Sequence, residues 1–153
     1  MSRFAKLALL VALVTFVANP AIADTNSDLN NLLEQASKEN GDGNFNDAET
    51  HYKQALMLSV GKLGGMSNST GKTCRQIADF YMNNNRFNDA DHFLRRSLVI
   101  AAGYNGAEMD TAGEFQNTRG FVSDSIQNPG RLAGNLDVAS TLSSMGTLYS
   151  RMG

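Results

Sequence analysis

The 153-residue sequence predicts an all-α fold, a short α-solenoid of antiparallel helix pairs with two full repeats plus one further helix. Three observations support this prediction. Apolar residues recur at the i, i+3, i+4 and i+7 spacing of helices that bury one face. A five-residue stretch recurs 42 residues later with one conservative change. The 14 glycines, which are unfavourable inside helices, lie almost entirely outside the segments with this spacing and therefore indicate helix ends.

Residues 1–23 have the features of a secretory signal peptide. Arg3 and Lys6 precede an apolar run, and Ala21 and Ala23 are the small residues that a signal peptidase requires. The run of about eleven residues rises only about 17 Å as a helix, which is too short for a hydrocarbon core of about 30 Å. We therefore expect cleavage after Ala23, export to the periplasm or secretion, and no stable membrane span after signal cleavage.

The composition excludes several classes of function. Without Arg3 and Lys6 the chain keeps 11 basic and 15 acidic side chains, a net charge of −4, so it lacks the basic surface that general nucleic-acid binding needs. The single cysteine, Cys74, excludes an internal disulfide and a multi-cysteine zinc site, and its predicted place is the core. Neither His51 nor His92 has metal-ligand spacing. We expect no enzyme, and hence no catalytic residues, cofactor or metal.

The repeat is carried by residues 45–49, Phe-Asn-Asp-Ala-Glu, which reappear at 87–91 as Phe-Asn-Asp-Ala-Asp. Small and apolar residues also match on both sides of this stretch. The matching positions are Ala36, Phe45, Ala48, Tyr52, Ala55 and Leu56, opposite Ala78, Phe87, Ala90, Leu94, Ser97 and Leu98. Each unit is therefore predicted to be two amphipathic helices joined by a tight turn, with helices over 29–40, 44–60, 72–84 and 88–102.

The turns carry their own signals. Asn46 is the predicted N-cap of the second helix of its pair, and Glu49 completes a capping box three residues later. The same roles fall to Asn88 and Asp91 in the second repeat. Left-handed residues are expected to close the first helices, and the candidates are Gly43 and Asn85.

A third copy begins after an interruption. Residues 105–138 are predicted to be a flexible, glycine-containing insertion with a short helix over 107–118. The helix at 139–152, within a partial third repeat at 139–153, has the apolar spacing of the earlier first helices. Its outer side is almost uncharged, which favours a helix that expects a partner over a capping helix.

These units resemble tetratricopeptide repeats (TPR) of the kinesin-light-chain-like subclass, which has a 42-residue period. The residues that carry the resemblance are Leu32, Ala36, Gly43, Phe45, Ala48, Tyr52 and Ala55, then Ala78, Tyr81, Phe87 and Ala90. Glu39 stands where the pattern has an aromatic residue. The resemblance implies repeat units at 29–62 and 71–104, within a helical-pair region at 24–104.

The resemblance also implies a groove, with first helices on the concave face. It directs Asn30, Leu33, Ser37 and Asn40 towards this groove from the first repeat. The candidate partner-binding residues that follow are Lys72, Arg75, Asp79, Met82, Asn83 and Arg151. The three cations of this set form a basic strip that suits a peptide carboxylate or an acidic segment.

A competing motif is Gly71-Lys72-Thr73, which matches the end of a phosphate-binding loop. Met66 stands where that loop needs a glycine, so we interpret the stretch as a linker into a helix with Thr70 as its N-cap.

The expected function is an exported scaffold or adaptor, a protein–protein interaction module that binds a peptide or protein partner without catalysis. Two alternatives stay open. The chain is the N-terminal repeat portion of a larger exported enzyme with a catalytic domain beyond Gly153, or it is a self-associating structural protein that forms a homo-oligomer.

Overall fold

The computed structural model describes residues 20–103 and 136–153, and the side chains from residue 24 onward. The described residues form helices and turns without a strand, which confirms the all-α class. The helices are α1 (Pro20–Gly41), α2 (Phe45–Leu58), α3 (Asn68–Asn83), α4 (Phe87–Ala101) and α5 (Leu136–Met152), and a π-helical turn (Ser59–Leu63) extends α2.

The helices pack in sequence order. Three-residue turns join α1 to α2 and α3 to α4, so the members of each pair run antiparallel. The two helices of a pair pack on each other more extensively than on any other described helix. The second helix of each pair then packs on the next first helix, α2 on α3 and α4 on α5. The result is a repeat-like stack of helix pairs whose core lies between the layers.

The predicted 42-residue equivalence is present in the packing. Ala36 and Ala78 in the first helices, and Ala48 and Ala90 in the second helices, are all 0% exposed. Small residues at these four positions allow the helices to approach closely, because a larger side chain at a fully buried position would force the helices apart.

The turns between paired helices are also equivalent. Gly43 has a φ of 82° and Asn85 a φ of 59°, which confirms the expected left-handed residues. The backbone N–H of Asn44 donates to the carbonyl of Glu39 at 2.8 Å, and the bond from Arg86 to Tyr81 has the same length. These six-to-one hydrogen bonds are those of a Schellman motif, which satisfies carbonyls at the end of a helix.

The predicted N-caps were wrong. The helices α2 and α4 begin one residue before Asn46 and Asn88, and neither has a side-chain cap. The Schellman turn ends directly at the preceding residue, so the backbone carbonyls of Asn44 and Arg86 already accept the first helical hydrogen bonds. The carboxylates predicted to complete the capping boxes are therefore available for contacts with other helices.

The start of α3 also differs from the prediction. Ser67 is the N-cap, and its Oγ accepts from the backbone N–H of Thr70 at 3.2 Å. Thr70 is buried and donates from Oγ1 to the carbonyl of Gly64 at 2.8 Å. Gly71-Lys72-Thr73 thus lies inside a helix and not in a linker, because the polar cap forms three residues earlier than expected.

Two predicted boundaries need correction. The first helix does not begin at residue 29, because it already includes Pro20, the first described residue. The insertion does not extend to residue 138, because α5 already begins at Leu136 and Val138 is buried against the core. Asp137 in the first turn favours this early start through its charge. The helix expected over 107–118 and most of the signal segment lie outside the described residues.

Candidate functional site

A cavity of about 810 Å³ lies between the first helices of the two repeats, α1 and α3. We call it the α1–α3 groove. It is lined by side chains from both helices, most of which carry hydrogen-bonding groups. The lining residues are Asn26, Leu29, Asn30, Leu33, Glu34, Ser37, Lys38, Ser69, Lys72, Thr73, Arg75 and Gln76.

The α1 side of the groove follows from helical spacing. Asn26, Asn30, Leu33 and Ser37 recur at intervals of four, three and four residues, which places them on one face of the helix. Leu33 packs partly against the core, while Asn30 and Ser37 are exposed. Leu29 is buried at the base. The wall therefore offers amides and hydroxyls above an apolar floor.

The α3 side of the groove carries the cations. Lys72 and Gln76 lie one turn apart and are exposed, whereas Thr73 is buried and donates to the backbone of Ser69. With Lys38 on the opposite wall, the groove presents amide donors and ammonium groups to solvent, against the single carboxylate of Glu34.

Arg75 lines the groove as predicted, but its guanidinium is engaged. Nη2 lies 3.2 Å from Oδ1 of Asp137, and Nη1 donates to the backbone carbonyl of Asp137 and to Oγ1 of Thr141. The side chain is about one-fifth exposed. Arg75 therefore ties α3 to the first turn of α5, and the positive strip expected in the groove is largely neutralised at this position.

The structure does not bring the other predicted residues into the groove. Met82 is 6% exposed and belongs to the hydrophobic core, so its predicted groove position was wrong. Asp79 and Asn83 are exposed on α3 but do not line the cavity. Arg151 lies over the ring of Phe87, 5.5 Å from its centroid, at the far end of α5.

Sequence reasoning missed several lining residues. Asn26 lies one turn before Asn30, and its place on the same face was hidden because the helix was expected to begin at residue 29. Glu34 and Lys38 flank the predicted face, and Gln76 follows Lys72 by four residues. A longer first helix, read at i+4 spacing from Asn26, would have included Glu34 and Lys38, and the same spacing from Lys72 on α3 would have included Gln76.

Cys74, the one free thiol of the chain, is fully buried. Burial raises the pKa of its thiol to about 12, while the charge of Arg96 opposes this effect. A thiol with such a pKa is protonated at neutral pH and is a poor nucleophile. The predicted packing role of Cys74 is therefore confirmed.

His51 forms a polar pair with Glu39. Its Nδ1 lies 2.7 Å from Oε2 of Glu39, and both side chains are mostly buried. Among residues 20–103 and 136–153, no group of three or more potential ligands is placed to bind a metal ion. Within the same part of the chain, none of the helices combines the length and hydrophobicity needed to cross a membrane.

In comparison with known proteins, no family model matches the chain, and no curated protein matches it at a significant level.

Proposed function

We propose that this chain is an exported, TPR-like interaction module that binds an extended peptide segment of a partner protein in the α1–α3 groove, without catalysis. One observation carries the proposal: two equivalent first helices border an open cavity of about 810 Å³ whose exposed lining is rich in amide, hydroxyl and ammonium groups. Such a lining suits recognition of a peptide backbone. The N–H and C=O groups of the peptide lose their hydrogen bonds to water on binding, and the polar side chains of the groove can replace these bonds.

The lining indicates the kind of peptide. Asn26, Asn30 and Gln76 each carry an amide that both donates and accepts, as paired recognition of a peptide unit requires. Lys72 is an exposed cation and favours a carboxylate on the peptide. Since Arg75 is already paired with Asp137, we expect a modest preference for acidic peptides and a larger contribution from backbone hydrogen bonds.

The test is selection of random twelve-residue peptides on the immobilised protein, followed by measurement of their affinity for variants. We expect Asn30→Ala to weaken binding about tenfold, as the loss of one or two hydrogen bonds implies. We expect Lys72→Glu to lower the affinity for acidic peptides more than the affinity for other peptides. Lys62→Glu is the matched control, because Lys62 is also exposed and lies outside the groove.

Arg75→Glu is a poor test of binding because it also removes the contact with α5. Peptides that bind equally well to Asn30→Ala, Lys72→Glu and the wild-type protein would exclude the groove as the binding site. A selection that yields no peptide above background would count against the proposed function as a whole.

Export is tested separately. The chain is expressed with its own N-terminal segment in a bacterial host, and the mass of the product outside the cytoplasm is measured. We expect a polypeptide that begins at Asp24, because Ala21 and Ala23 occupy the positions that a signal peptidase reads. An uncleaved product retained in the cytoplasm would contradict this expectation.

A further inference from the structure

We infer that the exposed side of α5 is a dimerisation surface covered by a second copy of this chain. This surface, which we call the α5 face, consists of Ala139, Leu142, Gly146 and Tyr149. It is distinct from the α1–α3 groove, so the inference does not depend on the proposed peptide binding.

The α5 face is defined by comparison with α3, in which the equivalent positions come 68 residues earlier. On α3 these positions are covered by the second helix of the pair, α4. A Cβ added at Gly71 would lie 3.0 Å from the side chain of Ile100. Ala78 is fully buried. Tyr81 is 3% exposed and stacks on Phe93 with the ring centroids 5.6 Å apart.

The equivalent residues of α5 are uncovered. Ala139 is exposed, and a Cβ added at Gly146 would have no atom within 4 Å apart from its chain neighbours and the backbone of its own helix. Tyr149 is 38% exposed although its hydroxyl is bonded to Asp91. Leu142 is only half-buried. The described helices that contact α5 are α4 and α3, and no other helix of residues 20–103 takes the place that α4 has on α3.

The α5 face is self-complementary in shape. Its residues are separated by three, four and three positions, a heptad-like spacing that is the same in both chain directions. An antiparallel second copy centred on Ser144 places Ala139 opposite Tyr149 and Leu142 opposite Gly146. Each large side chain then meets a small one, as knobs-into-holes packing and a two-fold symmetric interface require.

The charges of α5 are compatible with the same arrangement. No Asp, Glu, Lys, Arg or His lies between Asp137 and Arg151, so two copies meet without repulsion between like charges. In the antiparallel orientation Asp137, which is paired with Arg75, lies near the end of the second copy that carries Arg151, so the helix ends also meet without repulsion between like charges. Leu136 and Met152, at the two ends of α5, are among the most exposed large apolar side chains of the described residues.

The test is analytical ultracentrifugation of the full chain expressed with its own N-terminal segment. The α5 face from Ala139 to Tyr149 is only about 15 Å long, so we expect a dissociation constant on the order of micromolar. The mass should rise from one chain to two with concentration. Gly146→Arg should weaken the dimer at least tenfold, because the arginine would occupy the space opposite Leu142.

Gly146→Arg should fold normally, since the space around Gly146 is open and arginine is the better helix former. Circular dichroism checks this. Ser140→Arg is the matched control, because Ser140 is exposed on another side of the same helix. Ser140→Arg should leave dimerisation unchanged. Lys72→Glu, in the α1–α3 groove, should also leave it unchanged. A wild-type mass of one chain at every concentration, or equal effects of Gly146→Arg and Ser140→Arg, would overturn the inference.

Discussion

The hydroxyl of Tyr81 donates to Oε1 of Glu49 at 3.0 Å and thereby connects the first helix of the second repeat to the second helix of the first. The same contact recurs one repeat later, where Tyr149 donates to Asp91 at 2.8 Å. A hydrogen bond from Lys53 lowers the pKa of Glu49 against the opposing effect of burial, and the bond from Tyr81 adds to this lowering. The carboxylate is thus kept charged as an acceptor between repeats.

Tyr81→Phe should lower the free energy of unfolding by about 1.5–3 kcal/mol, the usual net contribution of a hydrogen bond to a charged group. The stack on Phe93 is retained, so the loss reports the hydroxyl. Urea denaturation measures it as a lower midpoint at an unchanged slope. Tyr149→Phe should lower the free energy of unfolding by less than Tyr81→Phe does, because Tyr149 is more exposed than Tyr81. An unchanged midpoint for Tyr81→Phe would show that the inter-repeat bond does not stabilise the stack.

The pair formed by Glu39 and His51 occupies the positions that Tyr81 and Phe93 occupy in the second repeat. An ion-pair-like contact of 2.7 Å in one repeat thus replaces an aromatic stack in the other. This substitution explains how Glu39 is accommodated where the TPR-like pattern has an aromatic residue: its partner across the helix pair has changed with it.

We therefore expect Glu39→Tyr and His51→Phe to be coupled. Each single variant leaves a partly buried polar group without its partner, whereas the double variant recreates the aromatic pair. A double-mutant cycle in urea should give a favourable coupling of about 0.5–1.5 kcal/mol. Strictly additive effects would mean that the two positions do not act as a pair in the first repeat.

Gly71 and Gly146 should respond oppositely to the same substitution. Gly71→Leu should cost about 1–3 kcal/mol by overpacking against Ile100, whose branched Cβ leaves it little freedom to move. Gly146→Leu should be neutral or stabilising by up to about 1 kcal/mol in dilute protein, because the site is open and leucine is the better helix former. The melting temperatures of Gly71→Leu and Gly146→Leu, measured at low protein concentration, compare the two effects. Equal losses would contradict the close contact at Gly71.

The pH dependence of stability should show the burial of Cys74. Burial raises its pKa from 9.0 to about 12 in the folded chain. Below pH 9 both the folded and the unfolded thiol are protonated, and the contribution to stability is complete. Between pH 9 and 12 only the unfolded state loses the proton, so the free energy of unfolding falls as pH rises.

Cys74→Ala isolates this effect. The two proteins differ only at residue 74, so the difference in slope between the wild-type protein and Cys74→Ala reports the thiol. Burial also raises the pKa of Tyr81, to about 12, and Tyr81→Phe should remove a corresponding part of the slope above pH 10. Identical slopes for the wild-type protein and Cys74→Ala would contradict a buried thiol.

Much of the fold was predictable because local signals agree. Helical spacing, the 42-residue offset and the left-handed turn residues each depend on a few neighbouring residues, and the structure bears out the four paired helices. The helix starts were predicted less well. Asn46 and Asn88 have the composition of N-caps, but the cap was decided by the backbone hydrogen bonds of the preceding turn.

The candidate site was predicted in outline only. Lys72 and Arg75 line the α1–α3 groove, whereas Met82 is in the core. Its position was predicted wrongly because helical spacing leaves the direction of a side chain ambiguous near the end of α3. The pairing of Arg75 with Asp137 joins residues 62 positions apart across the insertion. No periodicity in one sequence indicates such a contact, because it depends on how α5 returns to α3.

The sequence by itself determined the class of this protein, the helix pairs and the turns that close them, because helical periodicity and the left-handed preference of Gly43 and Asn85 are local properties of the chain. The tertiary structure alone decided which carboxylates join the repeats, which groove cation is already neutralised, and which side of α5 is left uncovered. These features arise from contacts between residues far apart in the chain, whose geometry is set only when the helices pack.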